Sequence, residues 1–160
     1  MNNVDKEYFQ KVDEFIVTDS KTVFGNYDQN QINYIISKLI LSAKDSIKIV
    51  SRSFDPFLKE NILNELKETS KRLKDNVRIL VFNNNEKLIE LKDSSIEYKI
   101  GKLKNKNDLI SNFLIIDDKR YRLECPSHGD EKCVRTEICC NDKVKSNKLS
   151  LIFESIWSKI

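Results

Sequence analysis

Glycine and proline are scarce in this chain, three and two in 160 residues. No flexible Gly/Ser or Pro-rich linker can be drawn from so few. The length fits one domain, large enough to bury a core. No window offers the roughly 18 consecutive apolar residues of a membrane span. The opening segment MNNVDKEYFQ has neither a basic nor an apolar run, so it does not read as a secretory signal, and the cytoplasm is the expected compartment. Neither sign of charge dominates. The 28 basic and 25 acidic residues leave +3, too mild to imply nucleic acid by itself. What is present in quantity is ordinary globular material, 39% apolar and 33% charged.

Apolar spacing places the elements. Residues 4–17 carry Tyr8, Val12, Phe15 and Ile16 at helical spacing. Asp28 is a plausible N-cap for a second helix to about residue 43, with Ile32, Ile35, Ile36 and Leu39 on one face. Residues 47–51 read as a strand in which apolar positions alternate with Lys48. Pro56 suits the first turn of a third helix carrying Phe57, Leu58, Ile62, Leu63 and Leu66. Strands follow at 76–82, 96–100, 112–116, 120–125 and 134–140, with a short helix at 86–91 and a last helix from about 143 to 158. No internal repeat is visible. Helices alternating with strands, then hairpin-like strands, predict an α/β fold: a mixed β-sheet flanked by helices on both faces. We divide the chain into an N-terminal helix and connecting loop, residues 1–30, and a main domain, residues 31–160, forming one compact unit.

The stretch NDLISNFLIIDDKRYRLE, an apolar strand entering an Asp-Asp turn and returning, is similar to the core of the phospholipase D superfamily motif, His-x-Lys-x4-Asp. With the motif's Asp on Asp117, its Lys falls on Asn112 and its His on Ile110. Glu137 and Trp157 in the C-terminal stretch also resemble the end of such domains, and SIKIVSRSFDP, a helix and NVRILVFN resemble the segment before the motif. The resemblance spans residues 31–160, and its SRSFDP segment is similar to small, degenerate members. It implies a His nucleophile that forms a phospho-enzyme and a cation that stabilises the transition-state charge. Ile110 and Asn112 supply neither, so the resemblance points to a catalytically inactive binding module.

The resemblance further implies one cleft at the strand ends. Arg52, Lys106 and Arg122 could line it as a phosphate pocket, with Asn112, Asp117 and Glu137 as further ligand-binding candidates. Lys104, Lys119, Arg120 and Arg135 complete the basic set, and a solvated surface is the plainer reading for any one residue of the set taken singly. Arg122, taken as partly exposed, is expected to be replaceable without loss of the fold. A single motif implies a homodimer whose two motifs share a cleft. Partners in view are nucleic acid, a nucleotide or anionic lipid headgroup, or another protein. The enzyme alternative, a divergent phosphodiesterase or nuclease, rests on His128 as a relocated nucleophile or on Asp117. A zinc site can be drawn through Cys125, His128, Cys133 and Cys140, but its spacing matches no standard knuckle. Buried thiols are the plainer reading, and no cofactor is expected.

Overall fold

The computed structural model describes residues 3–57, 59–83, 86–92, 94–103, 110–126 and 134–160. Six strands form one mixed sheet: β1 (Ile47–Ser51), β2 (Val77–Val81), β3 (Ile96–Ile100), β4 (Phe113–Ile116), β5 (Arg120–Pro126) and β6 (Val134–Cys139). Their order is β3-β2-β1-β4-β5-β6, so β4 is central as the motif resemblance requires. β1, β2 and β3 run parallel, while β4, β5 and β6 are each antiparallel to the neighbour before them. Among the described residues, four helices cover the sheet: α1 (Asn3–Val17), α2 (Gln29–Ser42), α3 (Glu60–Leu73) and α4 (Lys143–Trp157).

Strand alternation sorts the side chains into two cores. Ile47, Ile49, Val77, Ile79, Leu114 and Ile116 join Val12, Ile35, Leu39 and Leu66 beneath α1, α2 and α3. Val50, Leu80, Phe113, Ile115, Tyr121 and Leu123 join Leu149 and Phe153 beneath α4. Helices therefore lie on both faces. Asp28 caps α2 as its sequence position suggests, accepting from the Gln31 backbone N–H at 2.9 Å.

Two local expectations differ. Pro56 does not open the third helix. Asp55–Phe57 is a separate 3₁₀ turn, and α3 starts at Glu60. Phe54 explains the break: it sits at φ 62, where a helix cannot continue, and is fully buried against Phe57 at a ring separation of 5.2 Å. Glu86–Leu91 is likewise 3₁₀ rather than α-helical.

Candidate nucleic-acid interface at the carboxyl end of the sheet

Parallel β1, β2 and β3 end on the same side of the sheet, where β4 begins, β5 finishes and β6 starts. The backbone after β1 is anchored there. Its Phe54 N–H donates to Ser51 Oγ at 3.0 Å, and the Asn83 N–H donates to the Arg52 carbonyl at 2.9 Å. Asn112, at the motif's Lys position, accepts from the Arg52 N–H at 2.7 Å and donates to Glu124 Oε2 at 2.9 Å. Glu124 Oε1 receives Arg122 Nη1 at 2.6 Å, and Arg122 Nε donates to Asn26 Oδ1 at 3.1 Å. Asn26 reaches this position because the preceding loop hugs β6: a Cβ on Gly25 would stand 3.1 Å from the Thr136 carbonyl, and Phe24 pairs with Ile138.

Arg122 is therefore not a cleft residue. Its side chain is only 4% exposed and Glu124 17%. On β5, Arg120, Arg122 and Glu124 alternate onto the face covered by α1 and its connection to α2. Arg120 is paired there too, with Asp19 at 2.7 Å. The expectation of a partly exposed Arg122 is corrected: the alternation that buries Tyr121 and Leu123 on one face buries the charges on the other. Burial pushes the nearby Tyr8 hydroxyl upward in pKa, and the Arg122 charge partly offsets this. Arg122 Nη2 and the Tyr8 hydroxyl have no hydrogen-bond partner among the described residues.

The remaining candidates are dispersed. Ile110 packs against the α4-side core. Asp117 lies at the far end of β4, about 16 Å along the strand direction from Asn112. Its carboxylate accepts three backbone N–H groups, from Lys44, Asp45 and Ser46, at 2.8–3.1 Å. It holds the loop into β1 and stands apart from the Asn112 end. Glu137 occupies the α4 face of the sheet, where Lys145 and the Tyr121 hydroxyl hold its carboxyl below the ordinary range. Lys104, Lys106, His128 and Cys133 fall outside the described residues. The zinc drawing fails on its other members. Cys125 pairs with Arg135 at one end of the β5–β6 ladder, whereas Cys140 follows its other end. That spacing, about 17 Å, exceeds what one ion with Zn–S bonds of about 2.3 Å can join. Cys140 is buried, which pushes its thiol up to about 11. No metal-binding cluster of His, Cys, Asp and Glu occurs among the described residues.

Reading the sequence missed two groups. Glu124 was overlooked although R-x-R-x-E has the period of a strand face. So was a charge network under α4, where Lys48 meets Asp118 and Ser150 at 3.0 and 2.9 Å, and Glu154 pairs with Arg78. The signal for the latter was Lys48 itself, a charge inside an apolar strand.

Among the described residues, the exposed cations at this end include Arg52 after β1, Lys102 after β3 and Arg135 on β6. Five strand spacings separate β3 from β6, so this row spans about 24 Å.

No known family profile matches the sequence, and no curated protein matches it. Solved structures do. NucT from Helicobacter pylori superposes with TM-score 0.64 at 22% identity, covering 86% of this chain and 94% of its own. Nuc from Salmonella typhimurium, a phospholipase D family member, gives 0.62 at 17% identity, with 86% and 93% covered. TrmBL2, an archaeal chromatin protein whose structure shows a novel mode of DNA binding, gives 0.66 at 15% identity; it covers 98% of this chain and 60% of its own. The chain has the phospholipase D-like fold, an α/β mixed sheet with helices on both faces. No described helix is long and apolar enough to cross a membrane.

Proposed function

We propose that this chain is a catalytically inactive phospholipase D-like module that binds nucleic acid through the cations at the carboxyl end of its sheet. The observation that carries the reading is the Asn112–Glu124–Arg122 chain of contacts. Where the motif wants a cation for the phosphate, this chain has a neutral amide bound to its own carboxylate. A carboxylate there repels a phosphate oxygen and already satisfies the nearest guanidinium. Ile110, half-buried against the α4-side core, offers no nucleophile. Binding then falls to the exposed row of Arg52, Lys102 and Arg135. The match to TrmBL2 over 98% of the chain supports nucleic acid over a nucleotide or lipid headgroup. A homodimer, expected at twice 18.8 kDa by light scattering, brings two such rows together.

The test is a salt titration of duplex DNA binding, with hydrolysis followed on the same samples. Log affinity is expected to fall linearly with log salt, with no cleavage. Replacing Arg52, Lys102 and Arg135 together by Ala should flatten the slope by about two to three units. Salt-independent binding, or none, leaves a protein-partner role as the better account. Cleavage that disappears in His128→Ala restores the enzyme reading.

A further inference from the structure

α4 carries apolar side chains on both of its faces. Ser146, Leu149, Ser150 and Phe153 are buried toward the sheet. On the opposite side Val144 is 70% and Leu151 71% exposed, with Ile152 beside them at 48%. Single exposed apolar residues are ordinary on a protein surface, whereas grouped ones mark contact sites. These three share one side of one helix. Residues 144, 148, 151 and 155 recur at the alternating four- and three-residue spacing along which one helix packs against another. Val144 and Leu151 lie on that seam, Lys148 and Ser155 alternate with them, and Ile152 flanks it. The seam is about 17 Å long, three helical turns.

The charge on this side is of one sign. Lys143 and Lys148 are exposed and make no ion pair among the described residues. Lys145 turns aside to Glu137. Glu154, the one acid within α4, is engaged by Arg78 and Lys48. Asp142, which precedes the helix, is committed as its N-cap and accepts from the Lys145 N–H at 2.9 Å. The outward side of α4 therefore offers apolar and cationic groups and no uncommitted carboxylate of its own.

That combination selects among occupants. A second copy of this face would set its lysines against their counterparts with no acid between them. A bilayer surface favours helices whose apolar face carries Trp, Phe and Leu. The aromatic residues of α4 turn the other way: Phe153 is fully buried, and Trp157 stacks on it at 5.3 Å beneath Arg78 and Lys99. An acidic amphipathic helix meets both features at once. We propose that the outward side of α4 docks such a helix of a partner protein, its apolar stripe packing on Val144, Leu151 and Ile152 and its flanking Asp or Glu side chains pairing with Lys143 and Lys148.

Fluorescence anisotropy of the full chain with labelled peptides of about 20 residues tests this. The first peptide carries Leu at helical spacing on one face with Glu beside it. The second has the same composition in an order that scatters the Leu residues, and the third has Lys in place of Glu. The first is expected to bind saturably in the micromolar range, and the other two at least about tenfold more weakly. Leu151→Asp is expected to weaken the first peptide about tenfold. Circular dichroism and the urea midpoint should not change, because that side chain is already mostly in water. Lys148→Glu is expected to weaken the first peptide and strengthen the third. DNA binding by Leu151→Asp is expected to match the parent, so a failure here and a failure of the proposed function are read apart. No saturable binding of the first peptide, equal binding of the first and second, or an unchanged affinity in Leu151→Asp each overturns the proposal. So does tighter, Leu151-dependent binding to vesicles of anionic lipid, which makes the face a membrane surface. A mass by light scattering that Leu151→Asp halves overturns it as well, because the face is then the contact between two copies.

Discussion

The two ends of β4 are built on opposite principles. At the Asp117 end, the Asp-Asp turn places two consecutive residues at φ 56 and 47, and Lys119 N–H closes it onto the Ile116 carbonyl at 3.0 Å. This is the hairpin turn whose twist suits adjacent strands. Its two carboxylates diverge. Asp117 gathers the backbone N–H groups of the loop between α2 and β1, while Asp118 crosses to Lys48 and to Ser150 of α4. One turn thus ties the sheet to the layers on both sides. At the Asn112 end, Asn112, Glu124 and Arg122 bond to one another in a largely buried chain that leaves Arg122 Nη2 without a partner among the described residues. The Asp-Asp turn thus lies at one end of β4, and Ile110 and Asn112 lie at the other.

The largest expected effect lies at the Asn112 end. Arg122→Met leaves the mostly buried Glu124 without its cation, and unpairing a buried charge costs about 3 kcal/mol. Urea unfolding should show that loss. The double variant Arg122→Met with Glu124→Leu should recover most of it, because removing both partners is close to neutral. If Arg122→Met alone costs under about 1 kcal/mol, the pair is effectively solvated, and Arg122 returns as a candidate phosphate ligand.

Asp117→Ala comes next. It removes the acceptor of three backbone N–H groups and places alanine at φ 56. The Lys44 and Asp45 donors are near solvent, where water replaces part of the loss, so we expect about 2 kcal/mol. Asp117→Asn should cost roughly half as much, since Asn accepts and tolerates the left-handed region. A loss larger than that of Arg122→Met would invert the comparison between the two ends.

The layered fold was legible because periodicity and burial agree along β1, β2 and β4, where near-continuous apolar runs report strands covered on both faces. LIIDD alone reads as any buried strand ending in a turn; the motif strand was legible from its order after the strand–helix–strand segment and before the closing helix. The site was less so. Sequence spacing placed Asp117 with Asn112, but a strand carries its two ends to opposite sides of the sheet. Cys125 and Cys140 were separated in the same way by the length of the β5–β6 ladder. Arg122 looked like a surface cation because nothing local in R-x-R-x-E shows that α1 and the loop after it, through Asp19 and Asn26, cover that face. Such cover is a long-range contact, and a window of sequence does not contain it.

The smallest effect is acid dependence, and it belongs to the Asp118 side of the turn. Burial raises the Asp118 pKa, but hydrogen bonds from Ser150 and Lys48 outweigh it, and the net direction is down. Arg78 likewise holds Glu154 below its ordinary value. A carboxyl whose folded pKa lies below its unfolded one contributes stability that is fully present above the unfolded pKa, about 4. That contribution is lost as pH falls through the folded value. Stability should therefore be level from pH 8 to about 5 and decline below about 4. The Asp118 and Glu154 side chains are 44% and 45% exposed, so solvent screens the pairs and the contribution is modest. Asp118→Asn should cost little at pH 7 and flatten the acid limb of a stability–pH curve measured by urea midpoints. An acid limb left unchanged by Asp118→Asn would show that the Asp118 contacts are not what is lost as pH falls.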